Sequence, residues 1–186
     1  MIQDFDEYQR RAARTMANNE GDENLRLSVW ALGLAGEATE VLGHLMKVDP
    51  SSTLTKELGD VCWYVAALCT HFNLPLAEVV GHNDFPSFLT EVFDGPHRPH
   101  AHLKMIVVCG GVADYIKKVV GHGHLLDVTR LRDDLKEIMA CIAEVAEAHD
   151  LRLEDVLDAN IQKLEKRYKG GFSTEASLSR VDEALS

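Results

Sequence analysis

Two carboxylate pairs carry the chemical potential of this chain. Glu37-Ala38-Thr39-Glu40 is followed, after 16 residues, by Glu57-Leu58-Gly59-Asp60. Carboxylates at i and i+3 lie one turn apart on one face of a helix. Two helices joined by a short loop pack antiparallel, so the pairs Glu37/Glu40 and Glu57/Asp60 converge between them. Four negative charges that close repel strongly and are not tolerated unpaired in a core. A divalent metal resolves the conflict. Hard oxygen ligands without His or Cys favour Mg²⁺, with Mn²⁺ as the alternative, over zinc. The competing reading is a pair of ordinary solvated helix faces. Gly33, Ala35, Gly36 and Ala38 around the first pair, and Gly59 inside the second, weigh against it. Small residues there permit a close helix approach that a solvated face does not need.

The elements that must position these carboxylates read as helices. Apolar spacing predicts helices over about 5–17, 26–47 and 53–72, with a short fourth opened by Pro75. Others follow near 102–120, 128–149 and 153–169. Asn18 to Gly21 and Asp49-Pro50 are the expected stops of the first two. Period-two alternation is almost absent, so the fold class is all-α. Leu58, Val61, Val65 and Leu68 form one helical stripe, and it recurs 77 residues later as Leu135, Ile138, Ile142 and Val145. Laying 57–83 on 134–160 without gaps pairs six identical residues, Asn83 with Asn160 among them. This points to an internal repeat. The expected organisation is a first half over 1–84, a connection over 85–100 that holds Pro86, Pro96 and Pro99, a second half over 101–172 and a flexible tail over 173–186.

Composition bounds the partners. The 186 residues carry 19 Lys+Arg against 30 Asp+Glu, a formal net charge of −11. That balance argues against nucleic-acid backbones as partners. No apolar run is long enough to span a bilayer, and no membrane partner is expected. The N-terminus has no apolar signal-peptide core. Cys62, Cys69, Cys109 and Cys141 sit in apolar helical patterns without CxxC spacing, as reduced core thiols of a cytoplasmic protein do.

Leu32 to Val41 with its GEATE core, followed by Lys56-Glu57-Leu58-Gly59-Asp60-Val61-Cys62-Trp63-Tyr64, resembles the MazG-like nucleotide pyrophosphohydrolases of the all-α NTP pyrophosphatase superfamily. Tyr8-Gln9 and Arg14-Thr15 are similar to that family's opening helix. Asn160-Ile161-Gln162-Lys163-Leu164-Glu165-Lys166-Arg167-Tyr168 with Gly171-Phe172-Ser173 looks like its closing segment. Gly121-His122-Gly123-His124 resembles the loop between the motif helices, a loop feature with phosphate contact left open. His97, His100 and His102 beside Pro96 and Pro99 read as a polar linker.

The resemblance implies a helical bundle of two tandem, partly degenerate MazG-like repeats. It implies hydrolysis of a (d)NTP, bound as its magnesium complex, to (d)NMP and pyrophosphate, with a metal-bound water attacking the α-phosphorus. Glu37, Glu40, Glu57 and Asp60 are the expected catalytic and metal-binding residues. The second half would supply Lys163, Arg167 and Tyr168 to the phosphates or base. Tyr64, one turn beyond Asp60 on the same face, could stack on a nucleobase, and Asn83 would hydrogen-bond nearby by family analogy. Trp30 and Trp63 are read as core. Some relatives have a Glu where Gly36 stands, so the general base is left open. Asp114, Asp134 and Glu137 are left open as a residual second metal site. A homodimer is expected. A dUTPase-like member of the same superfamily and a catalytically idle helical interaction protein are the alternative readings.

Overall fold

The computed structural model describes residues 1–16, 22–47 and 53–179. The regular elements among them are all helices, in agreement with the all-α reading: α1 Phe5–Ala13, α2 Glu23–Leu45, α3 Leu54–His71, α4 Leu76–Val80, α5 Phe85–Asp94, α6 Ala101–His122, α7 Val128–Glu147, α8 Leu153–Arg167 and α9 Thr174–Ser179. The expected stops at 18–21 and 49–50 lie outside the described residues, as do residues 180–186. No helix among the described residues is long and apolar enough to cross a membrane. All four cysteines are buried free thiols.

Side-chain caps start six of the helices, Ser173 of α9 among them, whose Oγ accepts from the Ala176 N–H at 3.1 Å. Asp4, Asp22, Thr53, Asp84 and Asp127 each accept a hydrogen bond from the backbone N–H three residues on. Each cap satisfies an orphan donor and stabilises its helix by about 1 kcal/mol. The core then follows the apolar stripes. Leu58, Val61, Val65 and Leu68 on α3 are fully enclosed, and so are Leu135, Ile138 and Ile142 on α7. Helix α2 packs chiefly against α3 and α6, α6 against α7, and α3 also against α1 and α8.

The stretch expected as a connection is more ordered than its prolines suggest. Residues 85–94 form α5, whose Phe85, Phe88 and Val92 are buried. Pro86 falls in the first turn, where a missing N–H costs nothing. Phe5 of α1 meets Phe85 and Phe88 edge-on, with ring centroids 4.7 and 5.2 Å apart. The tail also departs from expectation, because residues 174–179 form a short helix.

The turns that end α3 and α7 share a left-handed residue and two backbone hydrogen bonds. Asn73 and Asp150 both adopt a left-handed backbone, φ 53° and 57°. The Leu74 N–H donates to the Cys69 carbonyl at 2.8 Å and the Leu151 N–H to the Ala146 carbonyl at 2.9 Å. Asn73 and Asp150 N–H donate to the Thr70 and Glu147 carbonyls in the same way. Asn and Asp tolerate this conformation better than other non-glycine residues.

Candidate functional site

Helices α2 and α3 bring the predicted carboxylates together, but not all four equally. One carboxylate oxygen each from Glu37, Glu40 and Glu57 lies within 4.8 Å of the other two. Glu40 is exposed, Glu37 is half-buried and Glu57 is only 1% exposed. Lys56 Nζ stands 3.6 Å from Glu57 Oε1. Asp60 is not part of this group. Its Oδ1 accepts from Asn160 Nδ2 at 2.9 Å and from the Lys163 ammonium. Both donors come from α8, so α8 is tied to α3 at Asp60.

The charge balance shows in the titration of the cluster. Burial, then the negative charges of Asp60, Glu40 and Glu57, push the Glu37 carboxyl up to about 8, with Lys163 opposing. Glu40 is also raised, by burial first and then by Glu57, with which it shares a side-chain hydrogen bond. Two carboxyls can share such a bond only through a proton. Oxygen ligands at 2.0–2.6 Å from one hard cation sit at most about 4–5 Å apart, so the spacing of the three glutamates fits a divalent ion that would replace that proton.

The cluster borders a cavity of about 510 Å³. Glu37 and Asp60 form its acidic edge. Trp30, Trp63, Tyr64, Tyr168 and Phe172 supply aromatic wall, and Arg167 lines it as well. Trp30 lies in the core and Trp63 packs against it, as read, and both also line the cavity. Trp63 is fixed by its Nε1–H, which donates to Thr15 Oγ1 at 2.9 Å. Its ring meets Tyr64 edge-on at 4.9 Å. The Tyr64 ring lies directly on Gly33, where a Cβ would come within 2.2 Å of it. Burial and then Glu37 push the Tyr64 phenol up to about 12, so it stays protonated. Tyr168 stacks in a tilted fashion on Phe172 at 5.4 Å, and the Arg167 guanidinium lies 6.0 Å from the Tyr168 ring centre. Thr174 and Ser177 of α9 also line the cavity. Sequence reading missed them, because a six-residue helix whose only apolar side chains are Ala176 and Leu178 is too short to show an apolar period.

Asn83 does not reach this cavity. Gly81, with φ 86°, ends α4 after five residues, and Asn83 falls on the exposed turn before α5. Asn160 sits at the matching place in a helix that continues, and it is 3% exposed beside Asp60. The repeat alignment had paired these two residues, and only their helix lengths separate their fates. His122 and His124 are exposed at the end of α6, away from the cavity lining. Nothing lies within 4 Å of a Cβ built at Gly36, so the place of the missing carboxylate is open solvent.

The second-half carboxylates are already neutralised. Glu137 is bound by Arg98 Nε at 2.9 Å and Lys104 Nζ at 2.5 Å, and Arg98 also reaches Glu144 at 2.8 Å. Asp114 is paired with Lys117 and Lys118, and Asp134 with Arg130 at 3.8 Å. Asp114, Asp134 and Glu137 therefore do not form a common site among the described residues.

Comparison of the chain with models of protein families, with curated proteins and with solved structures finds no match.

Proposed function

We propose that this chain is a Mg²⁺-dependent nucleoside triphosphate pyrophosphohydrolase that converts a (d)NTP to a (d)NMP and pyrophosphate. One observation carries the reading: Glu37 belongs at once to a three-glutamate cluster of cation-binding dimensions and to the wall of an aromatic-lined cavity that also holds Arg167. Glu37, Glu40 and Glu57 would hold the cation, Mg²⁺ or Mn²⁺, and Asp60 would join them as a further ligand. When bound, such a cation supplies an activated water and neutralises charge on the leaving pyrophosphate. The chain's own residues bind and orient. Tyr64, Trp63 and Tyr168 offer faces and edges for a planar base. Arg167 and Lys163 suit the phosphates. The acidic cluster keeps a polyphosphate out unless a cation accompanies it, which makes turnover metal-dependent.

The same reading takes 1–84 and 101–172 as degenerate copies of one MazG-like unit. The matched turns at Asn73 and Asp150 support it. So do the basic residues around Glu137 and Asp134, since a copy that lost its cation needs fixed positive charge instead. A homodimer belongs to this reading and is tested by light scattering.

The test is phosphate release from a panel of NTPs and dNTPs with Mg²⁺, with and without added inorganic pyrophosphatase. The expected signal needs both the metal and the pyrophosphatase, and Glu57→Gln loses it. Preference for dUTP within the panel would mark the dUTPase-like alternative. Silence with every nucleotide would overturn the proposal in favour of an interaction protein.

A further inference from the structure

A buried chain of hydrogen bonds runs from the N-terminal helix to Asp60. Tyr8, fully enclosed on α1, has its phenol oxygen 3.0 Å from Asn160 Oδ1 and 3.5 Å from the Gly59 carbonyl. Asn160 Nδ2 donates onward to Asp60 Oδ1 at 2.9 Å. The three residues come from three helices and lie 152 and 100 positions apart.

The two ends of an amide differ in chemistry but hardly in shape. Turned one way, Asn160 donates to the Asp60 carboxylate. Turned the other way, it would set an oxygen against that carboxylate and lose a charge-assisted bond. A neighbour that donates decides between them. Burial pushes the Tyr8 phenol well above its ordinary 10, so it keeps its proton at any working pH. Its O–H therefore claims the Asn160 oxygen and turns the N–H₂ toward Asp60. Gly59 makes room for this: a Cβ there would lie 2.8 Å from Asn160 Cβ.

We infer that Tyr8 and Asn160 are positioning residues: Tyr8 orients the Asn160 amide, and Asn160 holds Asp60 by one oxygen beside the glutamate cluster. The second Asp60 oxygen takes no part in the relay. The consequence for catalysis rests on the proposed function, whereas the relay itself concerns only the direction of the amide.

Tyr8→Phe removes a single oxygen and tests it on the full chain. Mn²⁺ titrated by electron paramagnetic resonance is expected to bind about tenfold more weakly, as when outer-shell partners of a metal ligand are removed. Turnover falls with it, while the nucleotide KM changes little. Asn160→Leu weakens Mn²⁺ at least as much, and the double variant no further, because Tyr8 acts only through Asn160. Asn160→Ala replaces Asn160→Leu if the latter does not fold. The Asn160 side-chain amide protons, followed by NMR, exchange slowly in the native chain and fast in Tyr8→Phe. Unchanged Mn²⁺ affinity in Tyr8→Phe, or independent multiplying effects, would overturn the relay's role at the site. If the native chain neither binds Mn²⁺ nor hydrolyses a nucleotide, the proposed function falls. The relay is then judged on amide exchange alone: protection lost in Tyr8→Phe upholds it, and protection retained overturns it.

Discussion

Lys163 donates to Asp60 Oδ1 across 103 positions of the chain. The two side chains are only 16% and 18% exposed. The pair ties α8 to the ExxD turn of α3 and gives Asp60 a cation in direct contact. A lysine so placed competes with an incoming metal for Asp60, yet offers its charge to a phosphate once displaced.

Lys163→Ala should therefore separate binding from turnover. Mn²⁺ affinity is expected to hold or rise, while turnover drops by roughly 10–100-fold, the usual cost of losing a partner of a ligating carboxylate. Arg167→Ala should raise the nucleotide KM by about tenfold or more, as a lost charge-assisted phosphate contact does. Calorimetric Mn²⁺ titration and steady-state kinetics check both. Near-native kinetics in both variants would remove the second half from the site.

Glu37 makes stability depend on pH in a specific direction. Its carboxyl titrates near 8 in the fold against 4.5 as its ordinary value. A raised acid pKa means the folded state holds the proton more tightly. This contribution is fully present below about pH 4.5 and is lost as pH rises through about 8. A cation must displace that proton, so Mn²⁺ should raise Tm more at pH 8 than at pH 6. Glu37→Gln should flatten the metal-free trend. Scanning calorimetry at both pH values, with and without Mn²⁺, measures it; a Mn²⁺ shift that shrinks with rising pH would contradict it.

Gly59 and Gly36 should answer alanine oppositely. At Gly59 a methyl meets Asn160 Cβ at 2.8 Å, close to the α8 backbone. Overpacking of that kind costs about 1–3 kcal/mol, and it pushes Asn160 off Asp60, so turnover falls too. At Gly36 nothing stands within 4 Å. Gly36→Ala should stabilise α2 by up to about 1 kcal/mol through helix propensity. Urea denaturation of both variants decides.

Arg98→Ala should cost stability and spare activity. Its guanidinium is 16% exposed and bridges Glu137 and Glu144, two turns apart on α7. Removing it takes the cation from Glu144 and leaves Glu137 with Lys104, at about 1–3 kcal/mol, less than the roughly 3–5 of a fully buried pair because these side chains keep some solvent. None of these residues lines the cavity at Glu37, so turnover per folded molecule should stay native. Loss of turnover alongside intact stability would contradict this.

The helices were legible because their signals are local. Apolar period, Asp and Thr caps and the i, i+3 carboxylates all act within a turn or two. Helix α5 was hidden by reading its prolines as breakers, although Pro86 sits where a helix accepts proline. The tail helix α9 was hidden because it is six residues long and buries none of them.

From its own order of residues, then, the chain determined an all-helical fold, the Glu37/Glu40 and Glu57/Asp60 faces, and buried thiols. Only the tertiary structure decided which carboxylates meet. It grouped Glu37, Glu40 and Glu57, and it handed Asp60 to Asn160 and Lys163. It turned Asn83 out to solvent and its counterpart Asn160 inward. It gave Glu137 to Arg98 and Lys104. The physical reason is range. Helix periodicity is written within a few residues, whereas hydrogen bonds and charge pairs are chosen among side chains that only packing brings within a few ångströms.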